Sequence, residues 1–268
     1  MSADAGPTPP ARVLLESIDV EVVRARLATL GELLATGAAR AGRSSAPEVL
    51  VASKYFAPAA IPTLLDAGAT LLGENRADVI EAKQAAVGGS RSEPSDAAGA
   101  PSVDADASAR PAALRWDYIG ELQSRKATAI APLVHRIHTL ASASAARKLV
   151  AYAEAGGEVP ELLIQVNVAD ETAKGGVLPA ALPALLEAAA GLPVRGLMTM
   201  PPLAREPEES RRWFAALREL AAEHDLTQLS MGTSQDAVVA AQEGATVVRI
   251  GGILTSDEAW AALESAHG

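Results

Sequence analysis

Between residues 18 and 42 the apolar positions Val20, Val23, Leu27, Leu30, Leu33 and Leu34 recur at helical spacing, which predicts an amphipathic helix. Gly42, Ser44, Ser45 and Pro47 break that pattern, and a second one begins. Short β-rich runs alternate with longer segments rich in Ala, Leu, Glu and Arg. The runs predict strands at 48–53, 70–74, 116–120, 136–140, 161–168, 194–199, 228–232 and 246–251. The segments after them predict helices at about 58–67, 76–86, 122–132, 143–156, 179–190, 207–223, 234–243 and 257–266. Ser144 and the Ser234–Asp236 stretch signal helix starts. Gly68, Gly156, Gly191 and Gly244 stand where helices should end.

Strand–helix alternation implies a parallel sheet. Near-continuous apolar runs such as ELLIQVNV suit strands buried on both faces. Eight such units predict a single α/β domain, a (β/α)8 barrel. The competing architecture is an open doubly wound sheet, which favours a glycine-rich dinucleotide loop after an early strand. Neither GxGxxG nor GxxxxGK followed by Ser or Thr occurs in the chain. Residues 85–113 interrupt the alternation, with Val87 and Val103 as their only large aliphatic residues. Ordering such a segment costs entropy and returns little apolar burial. It is therefore expected to be a flexible surface insertion at about 87–113, a lid being the functional alternative. Residues 1–14 are expected to be a disordered arm, leaving 15–268 as the barrel.

Composition narrows the function classes. Of 268 residues 49% are hydrophobic, enough for a sizeable core. The absence of cysteine excludes disulfides, thiolate metal sites and a cysteine nucleophile. A net charge of −10 argues against a general nucleic-acid binder, which needs clustered Lys and Arg. The start, MSADAGPTPPAR, has neither a basic region nor an apolar one, and the most apolar long stretch, residues 177–194, carries three prolines and a glutamate. A packed helix and a cytoplasmic protein without membrane contact are expected. No strongly apolar exposed stripe demands a dimer, so a monomer is expected. Only Lys54, Lys83, Lys126, Lys148 and Lys174 are lysines among 23 basic residues, so a lysine here is weakly favoured to be needed as an amine. Lys83 and Lys148 read as ordinary helix-surface residues.

In a barrel the chemistry sits at the C-terminal ends of the strands. The first strand ends at Ser53–Lys54, the second at Glu74–Asn75, and the sixth at Met198 and Met200. The seventh ends at Ser230–Met231–Gly232–Thr233–Ser234 and the eighth at Arg249–Ile250–Gly251–Gly252. Lys54 is either a solvated strand-end lysine or an amine nucleophile. Thr233 and Ser234 offer hydroxyls, Gly232 lets a ligand approach the backbone, and Gly251–Gly252 add accessible amides, which together read as an anion cup. The bland reading of that stretch is a helix cap by Ser234. Arg249 lies in an apolar strand and needs a partner, either a carboxylate from a neighbouring strand or a ligand. Met198 and Met200 read first as packing. His135 and His138 face opposite sides of a strand with no third ligand placed beside them, so no metal site is expected. No GxSxG motif and no Ser-His-Asp ordering suggests a hydrolase.

Five ordered blocks carry a resemblance. LVASKYFAPAAIPTLLDAGATLLGENRADVIEAK, WDYIGELQSRKATAIAPLVHRIHTLASASAARKL, LLIQVNVADETAKGGV, VRGLMTMPP and LSMGTSQDAVVAAQEGATVVRIG cover most of 48–252 outside the insertion. The chain resembles the pyridoxal phosphate homeostasis (YggS/PROSC) family, which binds pyridoxal 5′-phosphate (PLP). The resemblance implies a single (β/α)8 TIM barrel of the alanine racemase N-terminal domain type. It implies that Lys54 holds PLP as a Schiff base and that Arg249 stands beside the ring nitrogen. Ser230, Gly232, Thr233, Ser234, Gly251 and Gly252 fall at its phosphate cup, and Asn75, Met198 and Met200 line the cofactor. Lys174 matches the lysine of the family's K-x-G loop. Two positions depart from the pattern: Glu121 stands where the family often has His, and Gly252 where it usually has Thr. The implied role is buffering, carrying or delivering PLP, with PLP-dependent apo-enzymes as partners and without established catalysis. The alternative is a PLP-dependent amino-acid racemase or related enzyme.

Overall fold

The structure is a computed structural model and describes residues 14–88, 114–172 and 174–267. The expected arm up to residue 13 and the body of the insertion, 89–113, lie outside the described residues. Helix α1 (Val20–Arg40) begins where the Asp19 carboxylate accepts the amides of Glu21 at 3.0 Å and Val22 at 3.1 Å. Eight strands follow: β1 (Glu48–Ala52), β2 (Leu71–Glu74), β3 (Arg115–Tyr118), β4 (Arg136–Leu140), β5 (Glu161–Gln165), β6 (Val194–Met198), β7 (Gln228–Thr233) and β8 (Val247–Ile250). All neighbours are parallel, and β8 pairs with β1 through Leu50 opposite Arg249, closing the barrel. The open doubly wound alternative is thereby excluded.

The helices between strands are α2 (Ile61–Asp66), α3 (Ala77–Ala86), α4 (Ala127–Ile130), α5 (Ala143–Glu154), α6 (Leu182–Ala188), α7 (Arg211–Glu223) and α8 (Ala237–Gln242), with α9 (Asp257–His267) last. Four helix ends fall at Gly68, Gly156, Gly191 and Gly244, each at positive φ. Three local expectations need correction. The third inter-strand helix shrinks from 122–132 to α4 and a 3-10 turn at Ala131–Leu133, which contains Pro132. Helix α5 is capped by Ser142, whose Oγ accepts the Ala145 amide at 3.2 Å, rather than by Ser144. Strand β5 stops at Gln165 because Asn167 turns its amide to the Val177 carbonyl at 2.8 Å.

Alternation along the strands separates two environments. Val51, Tyr118, Ile137, Met231, Val248 and Ile250 join the large apolar core, much of it contributed by the helices. The inner positions are mixed. Leu50, Leu71 and Val247 form a small apolar cluster inside the barrel, and the remaining inner face carries Asp117, His138, Ser230 and Arg249, all buried. The N-terminal end of the barrel is closed by charge: Arg136 bonds Glu161 at 3.1 Å and lies 3.5 Å from Glu48 and 3.6 Å from Asp117. Among the described residues no helix is long and apolar enough to cross a membrane.

Candidate cofactor site

The strand ends at the C-terminal mouth carry Lys54, Asn75, Thr233, Ser234, Gly251 and Gly252, whereas Ser230 and Met198 lie deeper in the barrel. Lys54 occupies a single 3-10 turn, Ser53–Tyr55, directly after β1. It is half-buried, and its Nζ lies 5.5 Å from the centre of the Tyr55 ring. That ring reaches toward β8, because a Cβ on Gly251 would stand 2.5 Å from its edge. The β1 and β8 ends are thus in contact above the ladder that closes the barrel.

Beneath Lys54 lies a buried ion pair. Lys83 of α3 is 0% exposed; its Nζ donates to Glu74 Oε2 at 2.5 Å and to the Ser53 carbonyl at 2.7 Å. The reading of Lys83 as a surface residue is wrong. Ile80 and Lys83 lie on one face of α3, and that face packs inward. The Glu74 carboxylate also accepts the Ser53 hydroxyl at 2.9 Å and the Asn75 amide at 2.8 Å. One carboxylate therefore holds the residue before Lys54 and the backbone of Asn75, whose side chain is exposed at the rim.

The β7 and β8 ends form the expected cup, with fewer free hydroxyls than the sequence suggested. Gly232 has φ +89°, and a Cβ there would come within 2.5 Å of Ala240 in α8. The Thr233 amide and hydroxyl both donate to Asp236 Oδ1, at 2.7 and 3.2 Å, so Thr233 is committed to the turn. Ser234 Oγ accepts the Gly251 amide at 3.4 Å and ties the two loops together. Among the described residues the amides of Gln235 and Gly252 donate to no protein acceptor. A cavity of ≈ 410 Å³ adjoins the cup, lined by Ser234, Gln235, Ile253 and Leu263. Gly232→Ala should cost about 2–4 kcal/mol, combining left-handed strain with overpacking against α8. Urea unfolding measures it, and a loss below about 1 kcal/mol would mean that α8 moves away at little cost.

Ser230 is placed differently from the cup expectation. It is fully buried on the inner face, where its Oγ accepts Arg249 Nη1 at 2.6 Å and lies 2.8 Å from His138 Nδ1. His138 Nε2 in turn lies 2.9 Å from Asp117 Oδ2. Sequence reasoning weighed His138 only as a metal ligand and missed Asp117. The available signal was parity: Arg136 and His138 share the inner face of β4. A Ser–His–Asp contact does exist, but Ser230 is 0% exposed and its oxygen is covered by a cation, so it is no nucleophile. Burial holds the His138 imidazole below its ordinary pKa, against the opposing pull of Asp117, and it stays neutral near pH 7.

Arg249 does not find the carboxylate that the sequence offered as one of its two partners. Among the described residues no carboxylate reaches ion-pair distance of it; Nη2 donates instead to the Thr199 carbonyl at 2.8 Å. Burial pushes its pKa down to about 10, with Asp236 opposing from a distance, so the guanidinium remains charged at neutral pH. Met198 is buried packing at the end of β6, whereas Met200 is 47% exposed beyond it. No group of His, Asp and Glu among the described residues could hold a metal ion.

Known proteins share this frame. The model of the alanine racemase N-terminal domain family matches residues 23–259. A pyridoxal phosphate homeostasis protein of Aquifex aeolicus is 36% identical over 239 residues, covering 85% of this chain and 95% of that protein. The chain belongs to the pyridoxal phosphate homeostasis protein family. Another member, from Escherichia coli K12, is 31% identical, covering 84% of this chain and 92% of its own. The solved structure of PipY from Synechococcus elongatus PCC7942 with PLP bound superposes with TM-score 0.68 at 31% identity, over 87% of this chain and all of that one. Alanine racemase of Clostridium difficile 630 shares the fold alone, with TM-score 0.65 at 13% identity, this chain spanning 59% of it.

Proposed function

We propose that this chain binds PLP at the ends of β1, β7 and β8, with Lys54 as the covalent anchor. Its role is PLP homeostasis: buffering the cofactor, carrying it or delivering it to PLP-dependent apo-enzymes. The observation that carries this reading is the juxtaposition of a half-buried amine, a cup with amides unbonded among the described residues, and a buried guanidinium without a counter-ion among them.

PLP brings an aldehyde that condenses with a primary amine, a phosphate that needs donors and a pyridine nitrogen that accepts a hydrogen bond. Each need has a matching group here. Lys54 supplies the amine. Ser234 and the amides of Gln235 and Gly252 supply phosphate donors, Gly252 doing so with its backbone where a threonine is usual in the family. Arg249 supplies N–H groups to the ring nitrogen. A guanidinium donates at that position and does not surrender its proton, so the ring nitrogen stays unprotonated and the cofactor's electron withdrawal is weak. That property suits holding the cofactor better than using it. Ser230 and Thr233, assigned to the phosphate from the strand-end motif, act from behind: Ser230 through Arg249 and Thr233 through the Asp236 turn.

The deciding experiment is an absorption spectrum followed by borohydride reduction and peptide mass mapping. A near-visible band and a single pyridoxyl adduct on Lys54 are expected. An adduct on Lys83, Lys126, Lys148 or Lys174, or no adduct, overturns the assignment.

A further inference from the structure

The inner face of the barrel contains a chain of hydrogen bonds whose proton positions follow from its two ends. Arg249 has only donors, so Ser230 Oγ accepts from Nη1. The single hydroxyl hydrogen of Ser230 is then left for His138 Nδ1, which must be bare. The remaining imidazole proton sits on Nε2 and is donated to Asp117 Oδ2, an acceptor that Arg136 also faces at 3.6 Å. The four groups come from β8, β7, β4 and β3, and each is buried. The second anchor of the guanidinium, the Thr199 carbonyl, stands just past β6. Two nitrogens bonded to two different strand ends fix the plane of the guanidinium. Two of its five N–H groups are used, and three remain for a ligand.

We propose that Ser230, His138 and Asp117 are positioning residues that aim the free N–H groups of Arg249 at the ring nitrogen of bound PLP. This rests on the PLP reading given above. The relay reaches the cofactor only through Arg249. The Asp117 carboxylate selects the His138 tautomer that lets Ser230 accept from the guanidinium. With the other tautomer the Ser230 hydrogen would lose its acceptor. Groups facing His138 are Asp117 from β3, Arg136 from its own strand, and Ser230 and Arg249 from β7 and β8. Burial further favours the neutral imidazole that the relay needs.

The test compares two ligands on the full chain: PLP and its 1-deaza analogue, in which C–H replaces the ring nitrogen. The wild type should bind PLP about tenfold more tightly than the analogue, the size expected for a hydrogen bond to a charged donor. Ser230→Ala should weaken PLP about tenfold and leave analogue binding unchanged, so that the preference disappears. Asp117→Asn should act in the same direction by releasing the tautomer, and it carries the test alone if Ser230→Ala does not fold. A purely structural role would weaken both ligands equally; that result, an undiminished preference in the variants, or no preference in the wild type overturns the proposal. Failure of the PLP reading is separate, since it appears as a missing pyridoxyl adduct on wild-type Lys54.

Discussion

Lys54→Ala should remove the near-visible band and the borohydride-stable pyridoxyl adduct completely, while leaving the thermal midpoint of the unliganded protein within about 1 °C. Both halves follow from the site. Lys83 is engaged with Glu74 and Ser53 beneath the turn, Lys126 is exposed just before α4, Lys148 is exposed on α5, and Lys174 lies in the loop after β5, across the barrel from β1, so no second amine stands beside the Lys54 position. Lys54 itself makes no ion pair among the described residues, and its side chain lies beside Tyr55 at the rim, so little folding energy is at stake. The cup and Arg249 remain, and weaker non-covalent binding of PLP should persist. We expect an affinity loss on the order of a hundredfold, about 2.8 kcal/mol. Lys54→Arg keeps the charge but not the condensing amine and should behave like the alanine variant. An unchanged adduct count in either variant sinks the assignment. Amino-acid racemisation by the wild type that vanishes in Lys54→Ala would establish the enzyme reading instead of the homeostasis one.

Lys83→Met should be the most destabilising single substitution at the mouth, by about 3–5 kcal/mol in urea unfolding, because it leaves the Glu74 carboxylate buried without its cation. Methionine fills most of the lysine volume, so the cost is mainly electrostatic rather than a cavity. The double variant Lys83→Met/Glu74→Gln removes that charge and should recover to within about 1.5 kcal/mol of wild type, since well-packed neutral replacements of a buried pair are often tolerated. The glutamine can still accept the Asn75 amide and bond Ser53. A double variant as unstable as the single one would assign the cost to packing instead. A single variant losing under about 1 kcal/mol would show that water or a rearranged chain reaches Glu74.

The strand-helix order, the parallel sheet and the helix-ending glycines were legible because each is a local property. Strand β4 occupies the residues its pattern predicts, and Gly68, Gly156, Gly191 and Gly244 end their helices at positive φ, where a side chain would be strained. The position of Lys54 was legible for a related reason: a lysine directly after an apolar strand must lie at that strand's end. What periodicity gives is the face of an element, not the partner that face will meet. Lys83 shares a helix face with Ile80, yet only the packing of α3 onto β2 and the turn after β1 shows that a carboxylate waits there. Thr233 looked like a free hydroxyl until Asp236 turned back to take it.

The inner relay is the clearest division between the two levels. Each of its members carries an unremarkable local signal, a polar residue on the inward parity of a short strand. Ser230 and His138 are 92 residues apart, and Arg249 is held by Thr199 from 50 residues away. By itself the sequence determined eight strand–helix units in order and that Lys54, Ser234, Gly251 and Arg249 would stand at the C-terminal ends of their strands. Only the tertiary structure decided which polar groups meet on the axis, because closing the sheet brings inner positions of β3, β4, β7 and β8 within hydrogen-bonding reach. There, buried donors and acceptors must satisfy one another, since water cannot do it for them.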